Sequence, residues 1–544
     1  MNARSWLRQP VLLGLPAALL LAVFLAYPLE EILRASFGRE EGFEPLFQDT
    51  YFLERLWFTT WQAALSMVLS LAIALPLAWV FACHTFPSKR VVESVLLIPF
   101  VLPTIVVAVA FSALIGPSGV LNEALMRLPG VNSPPLALMN TLWAILLAHV
   151  FYNAAFSARV IASSWRAIDP RTEAAAAVLG AGPLRCFLRV TLPQLRNGIL
   201  AAASLTFLFC FTSFGVVLIL GGPRYSTIET EIYRESLFLF RLPIAGALAL
   251  LQMVVTFSAI AINTRLQSRA PAQSAGRRPV SFTPLSLLAA GTTLTVVALL
   301  TLAPLAALAE RSIHTGSGYS LHYYSLLDEN VRGQALFVAP LTAVRNSVVF
   351  ACFTTLLALP VGAMAAIGAV RGRSLWLETL VQLPLGVSAV TLGLGFLISF
   401  DTPPLDLRSS PALIVIAHTL VATPFVARTL AARLRGLDPK LRDAAAMLGA
   451  NPLRTFWRVE APLLSGAFAV AAVLAFATSM GEFGATLLIA RPEYPTIPVA
   501  IYRYLGQPGA TNFGQALAMG TILMVVTAVA FFALERAGGR ETRF

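Results

Sequence analysis

Apolar segments long enough to cross a lipid bilayer recur about twelve times along this chain of 544 residues. A membrane-spanning helix needs roughly 20 predominantly apolar residues, and each of these segments reaches that length. Such segments form helices because a helix satisfies all its backbone hydrogen bonds within the segment, as the water-free bilayer core requires. The sequence therefore predicts an all-α polytopic membrane protein with about 12 transmembrane helices. The approximate spans are 11–33, 57–83, 94–115, 141–163, 198–221, 243–264, 284–309, 346–370, 377–400, 411–432, 463–490 and 512–535.

The composition supports this class and excludes a soluble one. Hydrophobic residues make up 57% of the chain and charged residues 12%, whereas soluble domains average about 45–50% and about 25%. The first span is too long for the apolar part of a signal peptide, and no small-x-small cleavage site follows it, so we expect it to be retained.

The net charge of +12 reflects membrane topology rather than nucleic-acid binding. With the N-terminus in the cytoplasm, the cytoplasmic segments hold 26 of the 39 basic residues and only 6 of the 27 acidic residues. This distribution follows the positive-inside rule and puts both termini in the cytoplasm. The expected partner of these charges is the lipid bilayer, and no nucleic acid. The segments are 1–10, 84–92, 159–197, 265–283, 371–376, 428–462 and 536–544.

The four cysteines predict neither a disulfide framework nor a metal site, because none of them has a C-x-x-C or other metal-ligand spacing. Cys210 and Cys352 lie within apolar spans. We expect both to be apolar core residues.

An internal repeat divides the chain into two halves. A shift of 269 residues superimposes about 85 positions without gaps, as in the pairs His149 and His418, Asp169-Pro170 and Asp438-Pro439, Gly180 and Gly449, Phe187 and Phe456, and Tyr233 and Tyr502. Six spans in each half make the repeats parallel, as expected for an axis along the membrane normal. We predict a first domain at 1–264, a basic cytoplasmic linker at 265–283 with four arginines, and a second domain at 284–544.

The repeated loops at 164–197 and 433–462 have the local chemistry of two short helices each. Asp169 is a good N-cap, and Pro170 suits the first helical position. Gly180 can end the first helix in a left-handed turn. Pro183 can then open a second helix that runs to Pro193.

The second copy repeats this plan through Asp438, Gly449 and an Asn451 cap before Pro452. An Ala-rich helix followed by a glycine turn offers a small surface suited to protein docking. The alternative is an ordinary connecting loop, but two matched copies with the same caps, glycine and prolines argue against it.

The segments from Glu173 to Pro193 and from Asp443 to Pro462 resemble the EAA loop of permease subunits of ABC importers. The chain as a whole resembles two fused permease domains of the binding-protein-dependent thiamine and ferric-iron permeases. The resemblance implies that each loop forms a coupling helix seated in a groove of a separate ATPase subunit, of which two copies are expected. The residues that it assigns to ATPase coupling are Asp169, Glu173, Ala174, Ala175, Gly180, Pro183, Phe187, Pro193, Asp438, Asp443, Ala444, Ala445, Gly449, Pro452, Phe456 and Pro462.

One departure from the family pattern predicts that the two loops couple unequally. The position before the double alanine, usually acidic in the family, is Ala174 in the first copy and Asp443 in the second. Glu173 stands one residue earlier, and its repeat partner is Arg442.

The chain itself has no means of binding ATP through a P-loop. A Walker A sequence needs a Gly-Lys-Ser/Thr ending, and the two lysines, Lys89 and Lys440, are followed by Arg90 and Leu441. We therefore expect a transport subunit rather than an enzyme, with no cofactor of its own and with ATP and magnesium on the partner ATPase.

Two segments after the fifth and eleventh spans, 221–234 and 491–503, lie outside by this topology and carry Tyr233 and Tyr502. They either face a binding protein or form an external gate, or they pack the outer mouth of the helix bundle.

A few polar residues in the spans are candidates for a substrate path or gate. Glu482, whose repeat partner is Ser213, is the acid nearest a span interior. It could steer a cation, although a hydrogen-bonded packing role is the stronger alternative. His149 and His418 could line a metal path, but a helix–helix hydrogen bond fits better, and no metal site is predicted.

The leading interpretation is the permease subunit of an ATP-driven importer in a bacterial inner membrane, working by alternating access on thiamine or ferric iron. An extracytoplasmic binding protein would deliver the solute. The alternative, an ion-driven secondary transporter of two six-helix halves, should carry several acids within its spans, and only Glu482 and Glu378 approach this. A membrane-embedded enzyme would need clustered catalytic groups, which the sequence does not show.

Overall fold

The computed structural model describes residues 12–37, 43–268, 282–316, 318–330, 335–401, 403 and 405–539. These residues are mostly helical. The strands within the described ranges form a single antiparallel pair, His314–Thr315 with Gly318–Tyr319. The all-α prediction is therefore confirmed.

Ten helices among the described residues are long and apolar enough to cross a membrane. They are Leu15–Phe37, Thr50–Cys83, Thr104–Met126, Leu142–Arg166, Pro183–Phe211, Leu242–Asn263, Pro284–Ile313, Pro340–Arg371, Ala412–Arg435 and Ala510–Leu534. Two bent pairs bring the number to 12 and match the ninth and eleventh predicted spans. Leu375–Gly386 meets Ala389–Ser399 at 92°, and Pro452–Leu463 meets Ser465–Gly481 at 75°.

Shorter helices connect the spans, and three five-residue π-helical segments lie within longer helices. The short helices are Glu44–Gln48, Lys89–Val101, Pro170–Val178, Gly215–Leu220, Pro223–Tyr225, Ile228–Leu237, His322–Ser325, Leu326–Asp328, Lys440–Met447, Gly484–Ile489 and Ile497–Leu505, whereas Val120–Met126 is the last part of the span Thr104–Met126. The π segments are Ala22–Ala26, Phe187–Thr191 and Phe456–Glu460, the last two at equivalent positions of the repeat.

Four predicted spans are wrong as continuous helices, and one of them is the ninth, 377–400, which is the pair bent by 92°. The third, 94–115, breaks at Leu102 and Pro103, because Pro103 cannot donate a hydrogen bond to the helix before it. The fifth and eleventh, 198–221 and 463–490, end at Phe211 and Gly481, and a separate short helix follows each.

Close packing explains why a glycine opens the short helix after the eleventh span. A Cβ added to Gly484 would lie 2.9 Å from the Ala389 Cβ atom, and one added to Gly393 would lie 2.9 Å from the Ala485 Cα atom. Small residues at such a contact let two backbones approach closely. Close packing matters here because the hydrophobic effect does not drive helix association within lipid.

The chain forms two compact units, each built from both halves of the sequence. Within the described ranges, one unit comprises Met1–Pro45, Ile232–Ala247 and Ser320–Phe544, and the other comprises Leu46–Glu231 and Leu248–Tyr319. The first helix of each half therefore belongs to the unit formed mainly by the other half.

Side-chain contacts inside each unit document this exchange. In one unit, the Phe24 ring of helix Leu15–Phe37 lies 5.5 Å from the Phe400 ring. In the other, Arg311 of helix Pro284–Ile313 forms an ion pair with Glu123. The compact units thus differ from the predicted sequence halves 1–264 and 284–544, which remain a prediction about the repeat. Residues 269–281 of the predicted linker lie outside the described residues.

Of the two cysteines expected in the apolar interior, only one is buried. Cys210 is buried, as predicted, whereas Cys352 lies on an exposed face of helix Pro340–Arg371. The prediction for Cys352 was wrong because a helix that crosses lipid is apolar on its outer face as well, so hydrophobicity alone does not tell the two faces apart.

Candidate functional site

The first repeated loop contains a short capped helix, Pro170–Val178, as its sequence predicts. The Asp169 carboxylate accepts a hydrogen bond from the Arg171 backbone amide at 2.9 Å, which satisfies an amide that the helix leaves unpaired. Gly180 adopts a φ of +80°, so the left-handed turn is confirmed. The Ala181 amide donates to the Ala176 carbonyl at 3.0 Å and closes this turn.

The second repeated loop has the same construction with small shifts. Its helix, Lys440–Met447, starts one residue later than the equivalent helix of the first copy. The Asp438 carboxylate still accepts from the Lys440 amide at 3.0 Å. Gly449 has a φ of +76°, and Asn451 caps the next turn by accepting from the Arg454 amide at 2.8 Å.

Each loop exposes two large apolar side chains immediately before its glycine. Val178 and Leu179 are 88% and 87% exposed, and their repeat partners Met447 and Leu448 are both 88% exposed. Exposed apolar side chains held on a rigid, capped helix are the pattern of a protein-docking surface.

The chain stays helical beyond the position where we expected the second short helix to end. Pro183–Cys186 leads into the π segment Phe187–Thr191 and then directly into Leu192–Phe211, with Pro193 in the first turn of that helix. A proline is tolerated in a first turn, so Pro193 does not stop the helix. In the second copy, Pro462 lies before a break at Leu464.

The remaining predicted loop residues differ in their contacts between the two copies. The Phe187 ring stacks on Trp165 at 5.9 Å, and Phe456 packs against the apolar core around Leu434. Ala174, Ala175, Asp443 and Ala444 are exposed, whereas Ala445 is buried. Pro183 and Pro452 both occupy the first turn of a short helix, as predicted.

The acidic residue that departs from the family spacing has a partner within its own loop. The Glu173 carboxylate accepts a hydrogen bond from the Thr191 hydroxyl at 2.7 Å. At the equivalent positions of the second copy, the Arg442 Nε atom lies 3.7 Å from the Glu460 Oε1 atom. The two copies thus join the same two positions, but the acid is the earlier residue of the pair in the first copy, Glu173, and the later one in the second copy, Glu460.

Away from the loops, the structure brings Glu482 and His418 together. Glu482, 6% exposed, accepts from the backbone amides of Ala485 and Thr486 at 2.8 and 2.9 Å, so it caps helix Gly484–Ile489. The His418 Nε2 atom lies 3.3 Å from a Glu482 oxygen. This geometry agrees with the hydrogen-bonded packing role that we considered for Glu482.

The buried histidines of the two halves each contact a serine hydroxyl through the Nδ1 atom. The His149 Nδ1 atom is 2.8 Å from the Ser66 hydroxyl, and the equivalent His418 Nδ1 atom is 2.7 Å from the Ser479 hydroxyl. Both contacts join neighbouring helices. Ser213, which replaces Glu482 in the first half, is buried. Among the described residues, no group of three or more His, Cys, Asp or Glu side chains could hold a metal ion.

Tyr233 and Tyr502, equivalent in the repeat, contact each other. Their ring centres lie 6.4 Å apart, and the Phe483 ring lies 5.8 Å from Tyr502. Burial, together with the Tyr502 hydroxyl, raises the pKa of Tyr233 well above its ordinary value. Tyr233 therefore stays a neutral hydrogen-bonding group at physiological pH.

Sequence reasoning missed three buried carboxylates on helix Ile228–Leu237, which are Glu229, Glu231 and Glu235. Glu231 accepts from the Tyr51 hydroxyl at 2.7 Å, and Glu229 accepts from the Gln252 amide. The repeat could have identified these acids, because the equivalent residues of the second copy are Pro498, Ala500 and Tyr504. An acid at the position of a buried apolar residue predicts a buried acid.

Comparison with known proteins agrees with this architecture. The sequence matches the family described as "Binding-protein-dependent transport system inner membrane component" twice, over residues 74–270 and 358–540. It is 27% identical to the thiamine transport system permease protein ThiP of Salmonella typhimurium, over 98% of this chain and 99% of that protein. It is 28% identical to ThiP of Haemophilus influenzae, over 90% of this chain and 89% of that protein.

The two family matches together cover more than half of the chain, and each contains one of the two capped loops. The resemblance seen in the repeated loops is thus confirmed. The chain belongs to the family of inner membrane components of binding-protein-dependent transport systems, with two copies of the family domain in one polypeptide.

Proposed function

We propose that this chain is the permease subunit of an ATP-driven ABC importer that carries thiamine into a bacterial cell. The observation that carries the proposal is the pair of capped helices, each presenting two exposed apolar side chains before a left-handed glycine. The relatives named as thiamine permeases match almost the whole chain, which supports the choice of solute.

The two capped helices, Pro170–Val178 and Lys440–Met447, are called the docking helices. We expect each of them to bind one of two copies of an ATPase subunit. Val178 with Leu179, and Met447 with Leu448, would each enter an apolar groove of one ATPase copy. Burying such side chains contributes roughly 1.5–3 kcal/mol each. ATP and magnesium would be bound on the ATPase, since this sequence has no Walker A motif.

The charge distribution supports an orientation with both termini and both capped loops in the cytoplasm. The segments assigned to that side hold 26 of the 39 basic residues, and basic residues accumulate in cytoplasmic loops. An extracytoplasmic binding protein would then dock on the opposite side of the membrane.

The solute path is proposed to pass near two groups. One is the aromatic cluster of Tyr233, Tyr502 and Phe483. The other is the helix-capping residue Glu482 together with His418. ATP-driven closure of the ATPase pair would draw the two loops together and open the path outward. Release of ADP would reverse the motion.

The experiment is uptake of radiolabelled thiamine, and separately of ferric iron, by cells with and without this gene. We expect thiamine uptake to be lost and iron uptake to be unchanged. Loss of iron uptake alone would contradict the thiamine assignment and would redirect attention to His149 and His418. Unchanged uptake of both would exclude thiamine and ferric iron as the transported solutes, and the family membership would still stand.

A further inference from the structure

A short loop between helix Ile228–Leu237 and the span Leu242–Asn263 exposes three consecutive apolar side chains. Phe238 is 62% exposed, Leu239 is 41% exposed and Phe240 is 77% exposed. A run of three exposed apolar residues is unfavourable in water unless it serves a function. Exposed apolar surface of this kind marks an interaction site. Residues 238–240 are called the Phe-Leu-Phe loop.

The backbone of the Phe-Leu-Phe loop adds a conformational cost. Phe240 has a φ of +53°, in the left-handed region that bulky residues rarely adopt. Its repeat partner, Gly509, also has a positive φ, of +113°. Glycine adopts a positive φ without strain, and the second half uses glycine here. The first half therefore holds a strained, exposed phenylalanine at a position where a glycine fits. Strain of this kind concentrates at functional sites.

The apolar side chains are confined to the first half, although the surrounding sequence is shared. Residues 232–234 are identical to residues 501–503, and residues 247–249 are identical to residues 516–518. Between these matches, the second half carries no large apolar side chain at the positions of the Phe-Leu-Phe loop, where it has Gln507, Pro508 and Gly509. The turn can therefore form without the apolar residues, and a binding role explains their presence.

The inner side of the loop touches buried aromatic side chains of the same compact unit. The Phe238 ring lies 5.5 Å from the Tyr233 ring in an edge-to-face contact. Tyr233 is 6% exposed and contacts Tyr502, which in turn contacts Phe483. A continuous row of rings thus leads from the exposed loop to the aromatic cluster that is proposed to lie near the solute path.

The position of the loop favours a protein partner over lipid. The span Leu242–Asn263 has 22 residues, and a helix of that length is about 33 Å long. This length already crosses a hydrocarbon core of roughly 30 Å, so the preceding loop lies beyond the core. The exposed Arg241 follows the loop directly, and a charged side chain is costly within hydrocarbon. The charge distribution assigns this end of the span to the extracytoplasmic side.

We propose that the Phe-Leu-Phe loop is a docking site for the extracytoplasmic binding protein, with the Phe240 ring entering an apolar pocket that has an acidic side chain at its rim, close to Arg241. This rests on the proposed function as a binding-protein-dependent importer. Docking covers the exposed apolar side chains and offsets the strain at Phe240. Phe238 is a positioning residue, because its contact with Tyr233 holds the loop against its own unit.

The test measures the affinity of the purified, thiamine-loaded binding protein for the complete importer in lipid nanodiscs. Phe240→Gly removes the ring and introduces the residue type that the second half has at this turn, so the turn should persist. We expect roughly tenfold weaker binding, the effect of losing one buried phenyl contact. The thermal unfolding midpoint should equal or exceed that of the wild type, because the variant relieves backbone strain. A residue with a purely structural role would lower it.

Arg241→Gln tests the charged part of the docking site. We expect binding to weaken about threefold at low ionic strength and by less in high salt, because salt screens charges at the rim of an interface. Equal affinities of this variant and the wild type at low ionic strength would remove the acidic rim from the proposal.

Thiamine uptake separates docking from other roles of the loop. Proteoliposomes containing Phe240→Gly should take up thiamine more slowly at low binding-protein concentration and at the wild-type rate when the binding protein is saturating. Phe337→Gly is the matched control, because Phe337 is 75% exposed and lies in a segment assigned to the same side of the membrane. Its affinity for the binding protein should stay within about twofold of the wild type, as for most surface substitutions.

An affinity of Phe240→Gly equal to that of the wild type would overturn the inference, and so would an equal loss in Phe337→Gly. Unchanged affinity with an unfolding midpoint that falls in nanodiscs but not in detergent would assign the loop to lipid instead. A wild-type importer that binds no thiamine-loaded binding protein and moves no thiamine would overturn the proposed function itself. The two failures are therefore distinguishable within one set of preparations.

Discussion

Glu482 shows at the scale of one residue why an acid within an apolar segment need not be a transport site. Its two oxygens accept two backbone amides of the helix that begins beside it, and His418 lies within reach. The sequence could identify Glu482 as unusual. The sequence could not identify these partners. The two amides are available because the helix is interrupted before Gly484, and that interruption depends on packing around Gly484.

Replacing Glu482 by Gln should destabilise the protein, because a carboxamide offers one acceptor oxygen where two amides need one each. We expect a loss of about 1–3 kcal/mol, the cost of one unsatisfied buried donor. Thermal unfolding of the purified protein in detergent measures it. Ser213→Ala is the matched control at the equivalent position and should cost less. A Gln variant with unchanged stability but no transport would show that the acid acts on the solute.

The two left-handed glycines allow a clean test of loop geometry. A Cβ at Gly180 or Gly449 meets nothing within 4 Å, so Ala adds backbone strain without a clash. We expect each Gly→Ala change to cost about 1–2 kcal/mol locally and to weaken stimulation of the partner ATPase. Gly182→Ala is the control, because Gly182 also has open space but an ordinary φ of −66°. Equal effects at Gly180 and Gly182 would contradict the role of the turn.

At the scale of elements, the sequence predicted the capped loops well because their signals are local. Asp169, Asn451, Gly180 and Gly449 take the predicted roles, since a cap or a left-handed turn depends only on a few neighbouring residues. The continuation through Pro193 and the breaks after Phe211 and Gly481 were not predicted. They depend on contacts with other helices, which one sequence does not reveal.

The exposed apolar side chains of the docking helices should bind the ATPase without contributing to folding. Changing Met447 and Leu448 together to Ser should lower the amount of ATPase that copurifies by about half, because the change removes roughly 3 kcal/mol or more of apolar burial at one of the two proposed ATPase contacts. The unfolding midpoint should stay at the wild-type value, since both side chains are 88% exposed. Leu375→Ser, another exposed leucine, is the control. Undiminished copurification would place the ATPase surface elsewhere.

At the scale of the whole molecule, the exchange of first helices lay beyond the reach of the sequence. The repeat shows that helices Leu15–Phe37 and Pro284–Ile313 open equivalent halves, but similar apolar helices carry little information about which neighbours they contact. The contacts that decide it are made between side chains far apart in the sequence, such as Phe24 with Phe400 and Arg311 with Glu123.

The exchange predicts a specific cross-link inside one unit. A Cβ built on Gly395 lies 2.9 Å from the Pro28 Cβ atom, so cysteines at these two positions would be adjacent. We expect the Pro28→Cys, Gly395→Cys double variant to form a disulfide under mild oxidation after small local adjustment. Mass spectrometry of the proteolysed membrane protein detects it, and the two single variants serve as controls. No cross-link in a folded double variant would contradict the exchange.

The most direct test of the central claim is thiamine transport by the purified chain reconstituted in proteoliposomes with its ATPase and binding protein. We expect accumulation that requires ATP, the binding protein and intact docking loops, and that persists when ion gradients are abolished. Thiamine uptake driven by a proton or sodium gradient without ATP would contradict it and would identify the chain as a secondary transporter.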